Sequence, residues 1–157
     1  MSTYEQFANA FIVNSSFTGK ALTVQGTTKI QQALEKSTVS ATAATGTVNF
    51  DVLTQAVLYY TSNASGNWTL NFRGSGSVTL NNMMLTGESL TVAFLVTQGS
   101  TAYYNSAVTI DSVSVTPKWQ TGAPTGGNAS GVDAYSYVIF KTGNAAFTVF
   151  ASQTQFV

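Results

Sequence analysis

The chain has 157 residues, six Lys plus Arg balanced by six Asp plus Glu, and neither His nor Cys; only 8% of its residues are charged, against roughly 25% in an ordinary domain. This excludes disulfides, His/Cys zinc sites and Ser-His-Asp or Cys-His catalysis, and the scattered cations Lys20, Lys29, Lys36, Arg73, Lys118 and Lys141 lack the clustering that general nucleic-acid binding needs. No apolar run approaches the roughly 18 residues of a membrane span, and a net charge near zero favours association over life as an isolated, strongly solvated monomer.

In chain order, "STYEQFANAFIV" is the best helical stretch. Tyr4, Phe7, Ala8, Phe11 and Ile12 share one face at helical spacing, and Ser2 with Glu5 matches a capping box. So short a helix is marginal alone in water, so Tyr4, Phe7, Phe11 and Ile12 are expected to dock, either on a partner or, as a strand or arm, on the chain's own core. No basic start and long apolar run mark a secretory signal here, so the protein is expected to fold where it is made. "ALTVQ" reads as a strand, and "TTKIQQALEKS" as one or two helical turns with Ile30, Ala33 and Leu34 on one face.

From residue 39 onward, β-branched and aromatic residues gather in short runs between Gly, Asn and Ser clusters. Strands are predicted over 47–53, 56–62, 67–73, 77–80, 89–96, 107–115, 135–141 and 146–152. In "NWTLNFR", Trp68, Leu70 and Phe72 alternate with Asn67, Thr69, Asn71 and Arg73, the pattern of a sheet with one buried face. "SNASGN" (62–67) and "TGN" (142–144) have hairpin length. "QTGAPTGGNASG" (120–131) is too long for a hairpin and reads as a loop crossing between sheets. The expected fold is all-β, an antiparallel β-sandwich with jelly-roll-like strand count, preceded by a short N-terminal helix or arm. The boundaries are an attachment arm over 1–20 and a sandwich domain over 21–157. "SNASG" recurs as "GNASG" and "LYYTSNA" echoes "AYYNSA"; shared turn chemistry explains both more simply than duplication.

For acid-base chemistry the chain offers only Glu5, Glu35, Asp51, Glu88, Asp111 and Asp133, none close to another in sequence. A glycosidase would need two of them to converge across one cleft; solvated loop and strand positions are the plainer reading. "RGSGS" (73–77) has strand-like residues on both sides and so reads as a turn, since a phosphate-cradling loop needs a helix after it. No run of acids suits calcium. The expected protein is non-enzymatic and carries no cofactor or metal.

Aromatic residues are the one enriched class suited to binding. Trp68 alternates within a strand and is predicted to be core, whereas Trp119, beside Lys118 and the long loop, is a candidate platform or a loop anchor. Tyr103 and Tyr104, in "VTQGSTAYYNSAV", would point to opposite faces if they sit in a strand. One would then join the core and the other would meet a protein subunit or a sugar.

The phrases "TTKIQQALEKSTVSATAATGTVNFDVLTQAVLYYTSNASGNWTLNFRG", "SLTVAFLVTQGSTAYYNSAVTID" and "PKWQTGAPTGGNASGVDAYSYVIFKTG" resemble a module that recurs in structural proteins of marine tailed phages, notably cyanophages. There it often forms the C-terminal part of longer fibre-like proteins. The resemblance implies a virion component assembled in the host cytoplasm and brings no catalytic residue with it. With about 25 residues ahead of the module and no heptad run for a shaft, a compact appendage is expected, a head decoration or a short tail or fibre component. Its expected partners are other virion proteins and copies of itself, a trimer being one count. The alternative is a receptor- or glycan-binding module at a fibre tip, reading a host surface glycan through Tyr103, Tyr104 and Trp119.

Overall fold

A computed structural model describes Thr27 and residues 29–157. The N-terminal expectations, the docking residues Tyr4, Phe7, Phe11 and Ile12 and the "ALTVQ" strand, lie outside the described residues. Leu34–Val157 form one unit. Residues 29–36 carry no helix: Ile30 and Leu34 are 66% and 95% exposed, so the short apolar stripe is not buried among the described residues, and so marginal a helix does not form without such burial.

Ten strands and one helical turn follow: β1 (Ser37–Ala43), β2 (Gly46–Asp51), β3 (Val57–Ser62), β4 (Trp68–Arg73), α1 (Leu80–Met83), β5 (Ser89–Thr97), β6 (Asn105–Ile110), β7 (Val113–Val115), β8 (Lys118–Trp119), β9 (Val132–Gly143) and β10 (Ala146–Phe156). They build two packed sheets, β1-β3-β5-β9-β10-β8 and β2-β4-β6-β7. The all-β, two-sheet expectation holds. The antiparallel, jelly-roll-like pairing does not: β1 with β3, β3 with β5, β2 with β4, β4 with β6 and β10 with β8 are parallel. Odd strands of the first six lie in the large sheet and even ones in the small sheet. The chain therefore winds through three stacked rungs, β1/β2, β3/β4 and β5/β6, as in a short parallel solenoid, and closes with antiparallel β7, β9 and β10.

The register makes the repeat chemical. "TVNFD", "TLNFR" and "AVTID" lie in parallel, with Val48, Leu70 and Val108 in one column and Phe50, Phe72 and Ile110 in the next. Phe50 and Phe72 meet at 5.6 Å between ring centroids. Between these columns runs a polar ladder on the other face: Asn71 Nδ2 donates to Asn49 Oδ1 at 2.8 Å, and Asn71 Oδ1 accepts from Thr109 Oγ1 at 2.8 Å and from the Ser112 N–H at 2.9 Å. These bonds leave Asn71 satisfied although it is buried, as a buried amide requires.

Corners, not hairpins, join the rungs. "SNASGN" carries the chain from β3 in the large sheet to β4 in the small one, correcting the hairpin expectation. The corners stack: the Ser65 N–H donates to Ala44 O, the Ala64 N–H to Thr97 O and the Trp68 N–H to Tyr104 O. A Cβ at Gly66 would lie 2.8 Å from Thr45 Oγ1, so a side chain there would have to turn the Thr45 hydroxyl aside. "TGN" does make the β9–β10 hairpin.

Two further strand expectations change. The run 107–115 reverses at Asp111 and Ser112, both with positive φ (51° and 68°), the geometry of a two-residue hairpin turn. Residues 77–80 form a bend leading into α1, whose N-terminus is capped by Thr79 Oγ1 and by both Asp111 carboxylate oxygens, at 2.7 Å to the Leu80 N–H and 3.0 Å to that of Asn81.

Between the sheets Trp68 is fully buried, edge-on to Phe94 at 6.0 Å and Tyr135 at 5.6 Å. Leu70, Phe72, Tyr137 and Ile139 are likewise fully buried, each burial being worth about 1.5–3 kcal/mol. No helix among the described residues is long and apolar enough to cross a membrane.

Candidate functional site

The chain leaves the small sheet at Thr116 and Pro117 and enters the large one as β8, where Lys118 and Trp119 lie opposite Phe150 and Ala151 of β10. The long loop 120–131 therefore leaves and rejoins the same sheet; the crossing between sheets falls just before it. Trp119, half-buried, turns its ring edge-on to Tyr135 (6.4 Å) and Tyr137 (5.9 Å), so it is both a loop anchor and a partly open surface.

Beside Trp119 lies a cleft of about 410 Å³, walled by Pro117, Pro124, Val115, Asn105, Ser106 and Thr116 among others. Both prolines of the chain line it, and proline's fixed φ stiffens the two walls. At its floor Asn105 is buried and locked: its amide donates to Trp68 O at 3.2 Å and Ala107 O at 2.8 Å and accepts from the Tyr137 hydroxyl at 3.1 Å. Burial raises the Tyr137 phenol well above its ordinary pKa, so this donor stays protonated. Among the described residues no charged side chain lines the cleft.

Tyr103 and Tyr104 do not join Trp119. Both lie half-buried in the corner between β5 and β6, outside any strand, so the expectation of opposite strand faces does not apply. Tyr103 packs on the core and its backbone is clasped by Gln98, whose Oε1 accepts from the Tyr103 N–H at 3.0 Å and whose Nε2 donates to Tyr103 O at 2.7 Å. The Tyr104 N–H donates to Asn67 Oδ1 at 3.1 Å. Their backbones hold a corner of the solenoid.

The same corner meets a buried carboxylate that the sequence reading placed at a solvated loop edge. Asp133 has no exposed surface. Its Oδ2 accepts from Gln98 Nε2 at 2.8 Å and from the Asn128 N–H at 3.1 Å, while Oδ1 has no partner among the described residues. Burial raises its pKa, the hydrogen bonds offsetting part of the rise. Burial and the Asp133 charge together raise Tyr135, whose hydroxyl accepts from Gln153 Nε2 at 3.0 Å. A Cβ at Gly127 would run into the Tyr103 carbonyl, so loop, corner and carboxylate close on one another without room for a side chain. Asp133 thus pins the far end of the loop whose near end forms the cleft.

Three of the other described acids have structural partners. Asp51 pairs with Arg73 at 2.5 Å, Asp111 caps α1, Glu88 accepts from the Leu85 N–H at 2.7 Å, and Glu35 is exposed. Among the described residues no group of three acids stands together to hold a metal ion. The signals missed in the sequence were the spaced pentapeptides "TVNFD", "TLNFR" and "AVTID" and the two prolines flanking Trp119.

No protein-family model, curated protein or solved structure matches this chain.

Proposed function

We propose that this chain is a non-enzymatic structural protein of a tailed-phage virion, a compact appendage of head or tail that assembles through an uncharged sheet face with copies of itself and other virion proteins. The observation that carries the reading is the outer face of the large sheet. Val39, Tyr59, Leu95, Ala134 and Thr154 form one row across it, Ser37, Val57, Ala93, Ser136 and Ser152 a second, and Thr91, Val138 and Phe150 a third. Lys118, at the edge, is the only charged side chain in these rows. Val39, Phe140 and Phe150 are 65%, 39% and 45% exposed. A face on which Val, Leu, Ala, Tyr and Phe alternate with Ser and Thr and which carries one charge, at its edge, suits a subunit interface, and the resemblance to phage structural modules agrees with it.

The test joins particle and protein. Mass spectrometry and reconstruction of purified virions should find the protein in stoichiometric copies. Light scattering of the purified chain should show an oligomer that Val39→Lys and Phe140→Lys together dissociate without loss of folding. Deleting residues 1–20 should leave a folded domain that no longer enters particles. A monomeric wild type absent from virions would end the proposal.

A further inference from the structure

The cleft beside Trp119 carries a second inference, independent of the virion reading because none of its lining residues belongs to the outer-face rows. We infer that it is a binding site for a neutral carbohydrate, held with a sugar ring on the Trp119 indole. Three properties select that class. The cleft's volume, about 410 Å³, falls in the range of small-ligand sites, roughly 300–1,000 Å³. Its lining carries no charge among the described residues, so a phosphate, carboxylate or ammonium group entering it would lose water and gain no counter-charge from them. Its surface is divided in kind: Trp119, Pro117, Pro124 and Val115 give an apolar wall, and Ser106, Ser114 and Thr116, all exposed, give hydroxyls. A pyranose is divided the same way, with C–H groups that pack on an indole and hydroxyls at its rim. A wholly apolar ligand would strip water from those three hydroxyls without replacing it.

The site is also built in advance. Trp119 is held edge-on by Tyr135 and Tyr137, Asn105 is locked beneath it by the Tyr137 hydroxyl, and the prolines stiffen the rim, so little ordering remains to oppose binding. Ser106 Oγ donates to Trp68 O at 3.2 Å, which leaves its lone pairs free to accept.

The probes are maltotriose, cellotriose and chitotriose, with a decaproline peptide as competitor, since an aromatic, proline-walled groove can also take an extended proline helix. Tryptophan fluorescence reads Trp119 against the buried Trp68, and amide and indole NMR shifts locate the contact. At least one trisaccharide should saturate with a dissociation constant of about 0.1–10 mM, with shifts confined to Trp119, Ser106 and Thr116 and their neighbours. Trp119→Ala should abolish the response, and Ala123→Arg, at an exposed lining position, should weaken binding at least about tenfold with an unchanged urea midpoint. The second variant keeps the test decisive if the first loosens the core. No saturable response to any trisaccharide up to about 20 mM, shifts elsewhere, equal binding by Ala123→Arg, or tighter binding of decaproline would each overturn the inference.

Discussion

Asn71 joins all three rungs, and a double-mutant cycle with Asn49 tests whether the rungs stack as described. Its side chain makes three hydrogen bonds, to Asn49 Oδ1, Thr109 Oγ1 and the Ser112 N–H. At about 1 kcal/mol each, Asn71→Ala should cost about 3 kcal/mol, falling toward about 2 because exposed Ser112 and Asn49 can rebind water. Asn49→Ala removes one bond and should cost about 1 kcal/mol. The shared bond is lost only once in the double variant, so the cycle should return a coupling of about 1 kcal/mol. Urea unfolding followed by tryptophan fluorescence gives all four stabilities. In an antiparallel jelly roll these two asparagines would have no reason to touch. Costs that add to within about 0.3 kcal/mol would therefore refute the parallel register of β2 and β4 along with the ladder.

Other consequences follow from the buried and paired charges. The Asp133 carboxyl is raised above its unfolded value by burial, so its contribution to stability is fully present below the unfolded pKa and is lost as pH rises through the folded one. Gln98, Asn128, Gln153 and Tyr135 face it and none is a cation. Asp133→Asn should flatten this stretch of the stability-pH curve, read by thermal unfolding between about pH 3 and 7; an unchanged curve would mean another group sets it. Lys141, buried, donates from Nζ to the carbonyls of Asn81 and Met84, so Lys141→Met should cost about 2 kcal/mol, with lost hydrogen-exchange protection concentrated in residues 80–88. The Asp51–Arg73 pair is about a third exposed, so Asp51→Ala should change the urea-derived stability by less than about 1 kcal/mol.

Much of the fold was legible because strand formation is local. Alternation in "NWTLNFR" assigns Trp68, Leu70 and Phe72 to one face, and those three are fully buried. The strands at 46–51, 57–62, 68–73 and 89–97 fall within two residues of where β-branched and aromatic runs put them. A reversal at Asp111 and Ser112 was hidden because neither residue is glycine, although Asp tolerates positive φ. Asp133 looked like a loop-edge acid because its partners, Gln98 and Asn128, come from a corner and a loop that are brought to it only by folding.

Sequence alone determined the class: a nearly uncharged, Cys- and His-free β protein with short strands. Only the tertiary structure decided the direction of those strands. A Gly/Asn/Ser link can turn a chain back within one sheet or pass it to the opposite one, and the local chemistry of the two is the same. What separates them is the ladder from Asn49 through Asn71 to Thr109, which exists only once rungs distant in sequence have stacked. The same stacking brings Pro117, Trp119 and Pro124 around the end of β6, forming a cleft from residues that in sequence mark only a turn and a loop.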